Sequence, residues 1–250
     1  MQNTENKVAV IILAAGMGTR MKSSKAKVLH EILGKPMVMY VVKTANKVAG
    51  SNVILVVGNH AEKVREVLSE NYELIFALQE KQLGTGHAVL CALPYLPEYI
   101  EQVVILCGDV PLLSSNTVLR LLDDHIRKKR DVTLLAVKVD NPEGYGRVLF
   151  DKNMDVFEIV EEADTSEEQK KIKIINTGIY CVKKQFLIDS LHKIKSNNAQ
   201  GEYYLTDIIK IGSLGKKLVG VMVGTDCEEV VGVNNDEELI AAENIMRKIS

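Results

Sequence analysis

Tryptophan is absent from the 250 residues, and aromatic residues together make up only 5%. An aromatic platform for stacking single-stranded nucleic acid is therefore not available. A basic excess is missing too: 31 Lys and Arg stand against 33 Asp and Glu, a net charge of −2. That excludes a general electrostatic footprint for DNA or RNA and leaves room only for a locally basic pocket. No apolar run reaches the roughly 18 residues that a membrane-spanning helix needs. The segment Met1–Lys7 is short and polar, and the apolar run after it opens into a glycine-rich turn, unlike a signal peptide. The four cysteines, Cys91, Cys107, Cys181 and Cys227, are widely spaced and form no CxxC pair. They read as buried thiols of a reducing, cytoplasmic compartment rather than as a disulfide framework or a zinc site. What is present is an ordinary globular balance, 46% hydrophobic and 26% charged, in a length that fits one large α/β domain or two small ones.

Apolar runs alternate with helical spacing through the first half. Val8–Leu13 and Val53–Val57 are continuous apolar runs, as expected of strands covered on both faces. Leu74–Leu78, Val103–Cys107 and Val132–Val139 are further strands. Between them, Val38, Val41, Val42, Ala45 and Val48 share one helical face, with Pro36 in the first turn. Val64, Val67 and Leu68 mark a short helix, and Gly86–Leu93 another. Ser115 is placed to cap a helix whose inner face is Val118, Leu121, Leu122 and Ile126. This alternation predicts a mostly parallel, Rossmann-like sheet with helices on both faces. Val148–Phe150, Val156–Val160, Ile174–Val182 and Leu218–Val223 read as an antiparallel extension over the carboxyl edge. A last helix, Asp236–Ser250, carries Leu239, Ile240, Ile245, Met246 and Ile249, and its spacing suits a partner or an intrachain groove.

In open α/β sheets, ligands lie outside the carboxyl ends of the strands. The first such turn is Leu13-Ala14-Ala15-Gly16-Met17-Gly18-Thr19-Arg20-Met21. Gly16 and Gly18 let backbone N–H groups approach an anion. The dinucleotide fingerprint would need glycine where Met21 stands, which argues against a dehydrogenase, and no Gly-Lys-Ser/Thr phosphate loop follows. Arg20, Lys22, Lys25 and Lys27 come instead, and glycine turns with cations fit a bound polyphosphate.

Leu-Ala-Ala-Gly-x-Gly-Thr-Arg-Met, followed by Lys27-Val28-Leu29-His30 and Gly34-Lys35-Pro36-Met37, resembles the start of the sugar-phosphate nucleotidyltransferases. The resemblance continues in order through Gln82-Leu83-Gly84-Thr85-Gly86-His87-Ala88, Gly108-Asp109-Val110-Pro111-Leu112 and Tyr145-Gly146-Arg147. Ile159-Val160-Glu161, Ile175-Asn176-Thr177-Gly178, Glu202-Tyr203-Tyr204-Leu205-Thr206-Asp207 and Gly232-Val233-Asn234-Asn235 extend it to nearly the whole chain. Within that family it is most similar to uridyltransferases that make UDP-N-acetylglucosamine. The fold implied is α/β of the nucleotide-diphospho-sugar transferase type, with a smaller antiparallel sugar-binding extension and a C-terminal helix. The reaction implied joins UTP and N-acetylglucosamine 1-phosphate, releases pyrophosphate, uses Mg²⁺ and serves cell-envelope precursor synthesis.

The resemblance also implies roles for residues. Arg20 and Lys27 would stabilise charge on the α-phosphate, Arg by a bidentate grip and Lys as a point charge. Leu13, Ala14, Ala15, Gly16, Gly18 and Thr19 would bind the nucleotide, with Gly108. Gln79, Gly84 and Thr85 would bind uridine, since a side-chain amide offers both the donor and the acceptor that a uracil edge requires. Asp109 and Asn234 would hold the metal. Gly146, Glu161, Asn176 and Thr177 would bind the sugar. Lys22 and Lys25 read as solvated, and His87 as structural. The attacking sugar phosphate is already an anion, so no protein base is expected.

Ala26 stands where the family often has proline, and Cys107 where tyrosine is common. The relatives implied continue into a left-handed β-helix that carries acetyl transfer, whereas no hexapeptide repeat occurs here. Residues 1–235 are thus expected to form the nucleotidyltransferase domain and 236–250 the start of a linker arm. Acetyl transfer is not expected, and a monomer or weak dimer is. The same chemistry on glucose 1-phosphate, or a non-catalytic nucleotide-sugar sensor, are the alternative readings.

Overall fold

The computed structural model describes residues 7–21, 23 and 25–249. The polar stretch 1–6, Lys22, Ser24 and Ser250 lie outside them, as does the side chain of Thr19.

The strands are β1 (Val8–Ala14), β2 (Glu31–Ile32), β3 (Lys35–Pro36), β4 (Val53–Val57), β5 (Ile75–Leu78), β6 (Gln102–Cys107), β7 (Val132–Lys138), β8 (Arg147–Phe150), β9 (Val156–Val160), β10 (Ile174–Lys183) and β11 (Val219–Gly224). The helices are α1 (Met37–Ala49), α2 (Ala61–Ser69), α3 (Thr85–Ala92), α4 (Ser115–Arg127), α5 (Glu167–Lys170), α6 (Lys184–Leu191), α7 (Asp207–Leu214) and α8 (Asp236–Ile249). The main sheet runs β11-β7-β10-β6-β1-β4-β5, with β8 and β9 branching from β10. None of the helices among the described residues is long and apolar enough to cross a membrane.

The apolar runs form strands because both faces of the sheet are covered. Along β1, Val10 and Ile12 pack with α1, α2 and α4, while Ala9 and Ile11 pack with α3, α6 and α7. That two-sided burial is why β1 and β4 show no polar alternation. β1 pairs in parallel with β4 and β6, and β4 with β5, so the carboxyl ends of β1, β5 and β6 open on one edge.

The second half departs from the expected antiparallel extension. β10 lies inside the main sheet, antiparallel to both β6 and β7. β11 is a parallel edge strand on β7. Only β8 and β9 form the branch, and it packs under α7. Because β10 runs against its neighbours, its first residues rather than its last reach the carboxyl edge. That places Asn176 and Thr177 beside the end of β6, at an irregularity in the ladder between Asn176 and Tyr180.

Smaller differences have local causes. The cap of α4 is Ser114, whose side chain accepts from Thr117 N, rather than Ser115. Ile126 is 49% exposed, and His125 takes the buried place on that helix. Pro36 precedes the first turn of α1 and belongs to the β2–β3 hairpin. In α8, Ala242 and Met246 pack against Ile32, Met37, Leu112 and Val233, an intrachain groove, while Ile240 and Ile249 face solvent.

Candidate active site

Of the clefts along the carboxyl edge, two meet at the end of β6. The larger, about 360 Å³, is lined by Leu13, Ala14, Ala15, Gly16, Gly18, Lys27, Gln79, Gly84, Thr85 and Asp109. The smaller, about 220 Å³, is lined by Arg20, Asp109, Gly146, Glu161, Asn176, Thr177 and Asn234. Asp109 and Cys107 border both, so the end of β6 is where the two clefts meet.

Four side chains converge there. Lys27 Nζ donates to Asp109 Oδ2 in a close ion pair and to Asn234 Oδ1 at 2.8 Å. Arg20 Nη2 donates to the same Asn234 oxygen at 2.9 Å. Glu238 and the Gly232 carbonyl accept from the Asn234 amide at 3.1 and 3.0 Å, which turns its oxygen toward the cations. Asn235 faces elsewhere, its side chain accepting from Glu238 N at the start of α8. Lys27 is pressed against the glycine turn: Gly18 has φ +61°, and a Cβ there would lie 2.6 Å from Lys27 Cβ. Only glycine permits that backbone and that approach.

The oxygens of Asp109 and Asn234 meet at one cationic atom, the Lys27 ammonium. Hard oxygen donors on a common point fit Mg²⁺, which takes one or two protein ligands and completes its shell with phosphate and water. Among the described residues no group of three or more His, Cys, Asp or Glu is placed to hold a metal ion.

In the larger cleft, Gln79 Nε2 donates to the Gly84 carbonyl at 3.1 Å. Gly84 has φ +106°, and a Cβ would strike the Tyr203 backbone at 2.7 Å. That contact is part of a clamp: Tyr203 N donates to Leu83 O, Gly86 N to Tyr203 O, and Leu205 N to Thr85 Oγ1. The Glu-Tyr-Tyr-Leu-Thr-Asp stretch therefore braces the Gly84–Thr85 end of the cleft. Gly108 lies behind the turn and lines neither cleft; its N–H donates to Leu13 O at 2.8 Å. Thr19 opens a short 3₁₀ turn through Met21, while Lys25 is exposed and pairs with Glu31.

In the smaller cleft, Asn176 Oδ1 accepts from Tyr180 Oη at 2.9 Å and from Gly178 N at 3.1 Å. The Asn176 amide N–H groups are thereby left to donate. Thr177 lines the cleft, but its hydroxyl donates to Leu135 O and accepts from Ile179 N, so it offers backbone rather than hydroxyl. Glu161 accepts from Thr206 Oγ1 at 3.0 Å, and burial pushes its carboxyl pKa up. Burial also raises the Cys107 thiol to about 12, keeping it neutral beneath the site.

Sequence reasoning did not single out Met17, Gln82 and Glu202 in the larger cleft, or Tyr145 and Glu238 in the smaller. Gln82, Glu202 and Tyr145 sit inside quoted motifs, so membership of a motif was the available signal. Glu238 lies outside every motif, and its role depends on the folded position of α8.

Residues 9–226 match the family model described as nucleotidyl transferase. The chain belongs to that family. Among its relatives, the bifunctional protein GlmU of Geotalea daltonii is 46% identical over 241 residues, 96% of this chain and 53% of that protein. GlmU of Caldanaerobacter subterraneus is 48% identical over 240 residues, 95% of this chain and 51% of that protein. The chain thus spans about half the length of the curated relatives it matches. The crystal structure of a putative glucose-1-phosphate thymidylyltransferase from Bacillus anthracis, in complex with sucrose, superposes with a TM-score of 0.75 at 19% identity. That likeness covers 97% of this chain and 96% of that one, and it is a likeness of fold. Nucleotidyl transferase chemistry brings a nucleotide and an acceptor side by side, and the two clefts adjoin at the end of β6.

Proposed function

We propose that this nucleotidyl transferase moves a uridylyl group from UTP to N-acetylglucosamine 1-phosphate, giving UDP-N-acetylglucosamine and pyrophosphate. The observation that carries the reading is the convergence of Arg20, Lys27, Asp109 and Asn234 where the two clefts meet. The motif pattern and the GlmU relatives support uridine and the acetylated sugar as the substrates.

UTP lies in the larger cleft, its phosphates along the Leu13–Gly18 turn and its base beside Gln79, Gly84 and Thr85. The sugar lies in the smaller cleft, beside Gly146, Glu161, Asn176 and Thr177. Glu161 accepts from sugar hydroxyls, and the Asn176 amide donates. The phosphate oxygen of the sugar attacks the α-phosphorus in line. The new P–O bond forms as the bond to the β-phosphate bridging oxygen breaks, and pyrophosphate leaves with that electron pair. No proton needs to move, because the attacking phosphate is already ionised. Arg20 and Lys27 stabilise the charge that grows on the α-phosphate oxygens, more in the transition state than in the ground state. Mg²⁺ held by Asp109 and Asn234 would supply further charge neutralisation there.

We further propose residues 1–235 as the transferase unit, 236–250 as the start of an arm, and a monomer or weak dimer in the cytoplasm. Pyrophosphate release tests the reaction, with UTP, Mg²⁺ and N-acetylglucosamine 1-phosphate beside CTP and glucose 1-phosphate controls. Release should require UTP, the metal and the acetylated sugar. Release with glucose 1-phosphate alone would move the sugar assignment. Folded protein that binds UTP without turnover on any sugar would sink the transferase reading.

A further inference from the structure

His87 takes no part in the transfer step, yet its ring touches the amide that the proposed function sets against the base. Gln79 is only 3% exposed and lines the larger cleft. Its amide can point two ways, and chemistry selects one. Nε2 lies 3.1 Å from the Gly84 carbonyl oxygen, which can only accept. The flipped amide would set oxygen against oxygen. The same Nε2 lies 3.0 Å from His87 Nδ1. With Nε2 a donor on both sides, Nδ1 must carry the lone pair, and the ring proton belongs on His87 Nε2. Cys91 Sγ lies 3.9 Å from that nitrogen and 4.0 Å from Nδ1, so the sulfur does not choose between them and the Gln79 amide does. Both amide protons of Gln79 are then engaged. Its Oε1 has no donor among the described residues and is not sealed from the cleft.

We propose that His87 is a positioning residue that sets pyrimidine choice, by holding Gln79 so that Oε1 faces the base as a fixed acceptor. The inference rests on the uridylyl reading above. A ring N–H, as in uracil, satisfies that oxygen. Cytosine in the same pose sets its N3 lone pair against it. Lone pair against lone pair costs affinity twice, through repulsion and through a buried acceptor left without a donor. Without His87, one amide proton loses its partner and the Gly84 carbonyl alone holds the amide.

The test uses the wild-type chain, His87→Leu and His87→Asn. The asparagine oxygen stands close to where Nδ1 was and can still accept. Long-range ¹H–¹⁵N spectra of the unliganded protein report the ring tautomer. A proton on Nε2 is expected, and a ring protonated only on Nδ1 would overturn the proposal. Calorimetric titration then gives UTP and CTP affinities. In His87→Leu the preference for UTP should fall about tenfold, the scale of one lost hydrogen bond in a desolvated site. The loss should lie in UTP binding and KM rather than in kcat, and His87→Asn should restore most of it. A variant that merely loosened α3 would weaken both nucleotides alike. An unchanged UTP preference in folded His87→Leu would therefore refute the role. Failure of the uridylyl reading looks different: wild-type protein with the Nε2–H ring would bind UTP and CTP alike, which overturns that reading and the specificity role together.

Discussion

At the scale of residues, the site is a balance of charges that substrates must rearrange. The Lys27 side chain is 12% exposed and that of Asp109 is 25% exposed, so their ion pair is partly shielded from water. In the proposed reaction, bound phosphates would offer Lys27 a second anion and leave the Asp109 oxygens for the metal. Asp109→Asn keeps the shape and removes the charge. Turnover should fall roughly 10²–10³-fold, the scale of losing one electrostatic stabiliser. The thermal midpoint should move little, because Asn234 still accepts from Lys27. Turnover within a few-fold of wild type would remove Asp109 from the metal site. Glu161→Gln separates binding from stability in the same way. Burial penalises the charged carboxylate, so its pKa is raised and its charge opposes folding near neutral pH. The amide retains an acceptor for Thr206 without that charge. KM for the sugar phosphate should rise about tenfold while the midpoint holds or increases. A falling midpoint with unchanged KM would show the opposite division of labour. Both carboxylates were legible in the motifs. Which groups remain free to bind was not: Thr177 was expected at the sugar, and only the fold shows its hydroxyl already engaged on Leu135.

At the scale of elements, apolar runs announced the strands but not their directions. β1 and β4 were legible because burial on both faces writes an unbroken apolar run. β10, broken by Asn176-Thr177-Gly178, and the half-buried β11 are apolar too, and nothing in the spacing records that one runs against its neighbours and the other with its partner. The connections decide that, through helices packed on the sheet rather than through strand residues. Caps are legible to within a residue. Ser114 and Ser115 are equivalent by type, and backbone geometry selects Ser114, in an extended conformation, to accept from Thr117 N. Ser114→Ala should therefore lower stability by about 1 kcal/mol, and Ser115→Ala by a few tenths at most. Equal losses in urea titrations of the two variants would return the cap to an open question.

At the scale of the whole molecule, stability should depend on pH through a group that the reaction does not use. His125 is 1% exposed, between α4 and the sheet. Its Nδ1 lies 2.9 Å from Thr133 Oγ1 and its Nε2 3.1 Å from Gln102 Oε1. Burial, then the charges of Lys183 and Arg130, lower its pKa from 6.5 to about 4. The unfolded chain therefore takes up this proton first. Above pH 6.5 the ring is neutral in both states and folding pays no penalty. As pH falls from 6.5 toward 4, the unfolded state binds the proton and the folded state resists it, so stability drops. Over that window the loss is on the order of 3 kcal/mol. The lowered carboxyls of Asp124 and Asp131 act in the same direction, but only below their ordinary value of 3.8. Glu161 acts in the opposite direction, since protonating a carboxyl of raised pKa relieves the folded state. A difference between proteins isolates the histidine. His125→Gln keeps hydrogen-bonding capacity and cannot titrate. Wild type should lose stability more steeply than His125→Gln between pH 6.5 and 4.5 in urea titrations, and the two slopes should match above pH 7. Parallel slopes throughout would mean that the ring takes up its proton as readily in the fold as in the unfolded chain, so that burial does not lower its pKa and the buried ring is charged by pH 4.5. The Thr133 and Gln102 contacts would then have to be those of an imidazolium donating from both nitrogens.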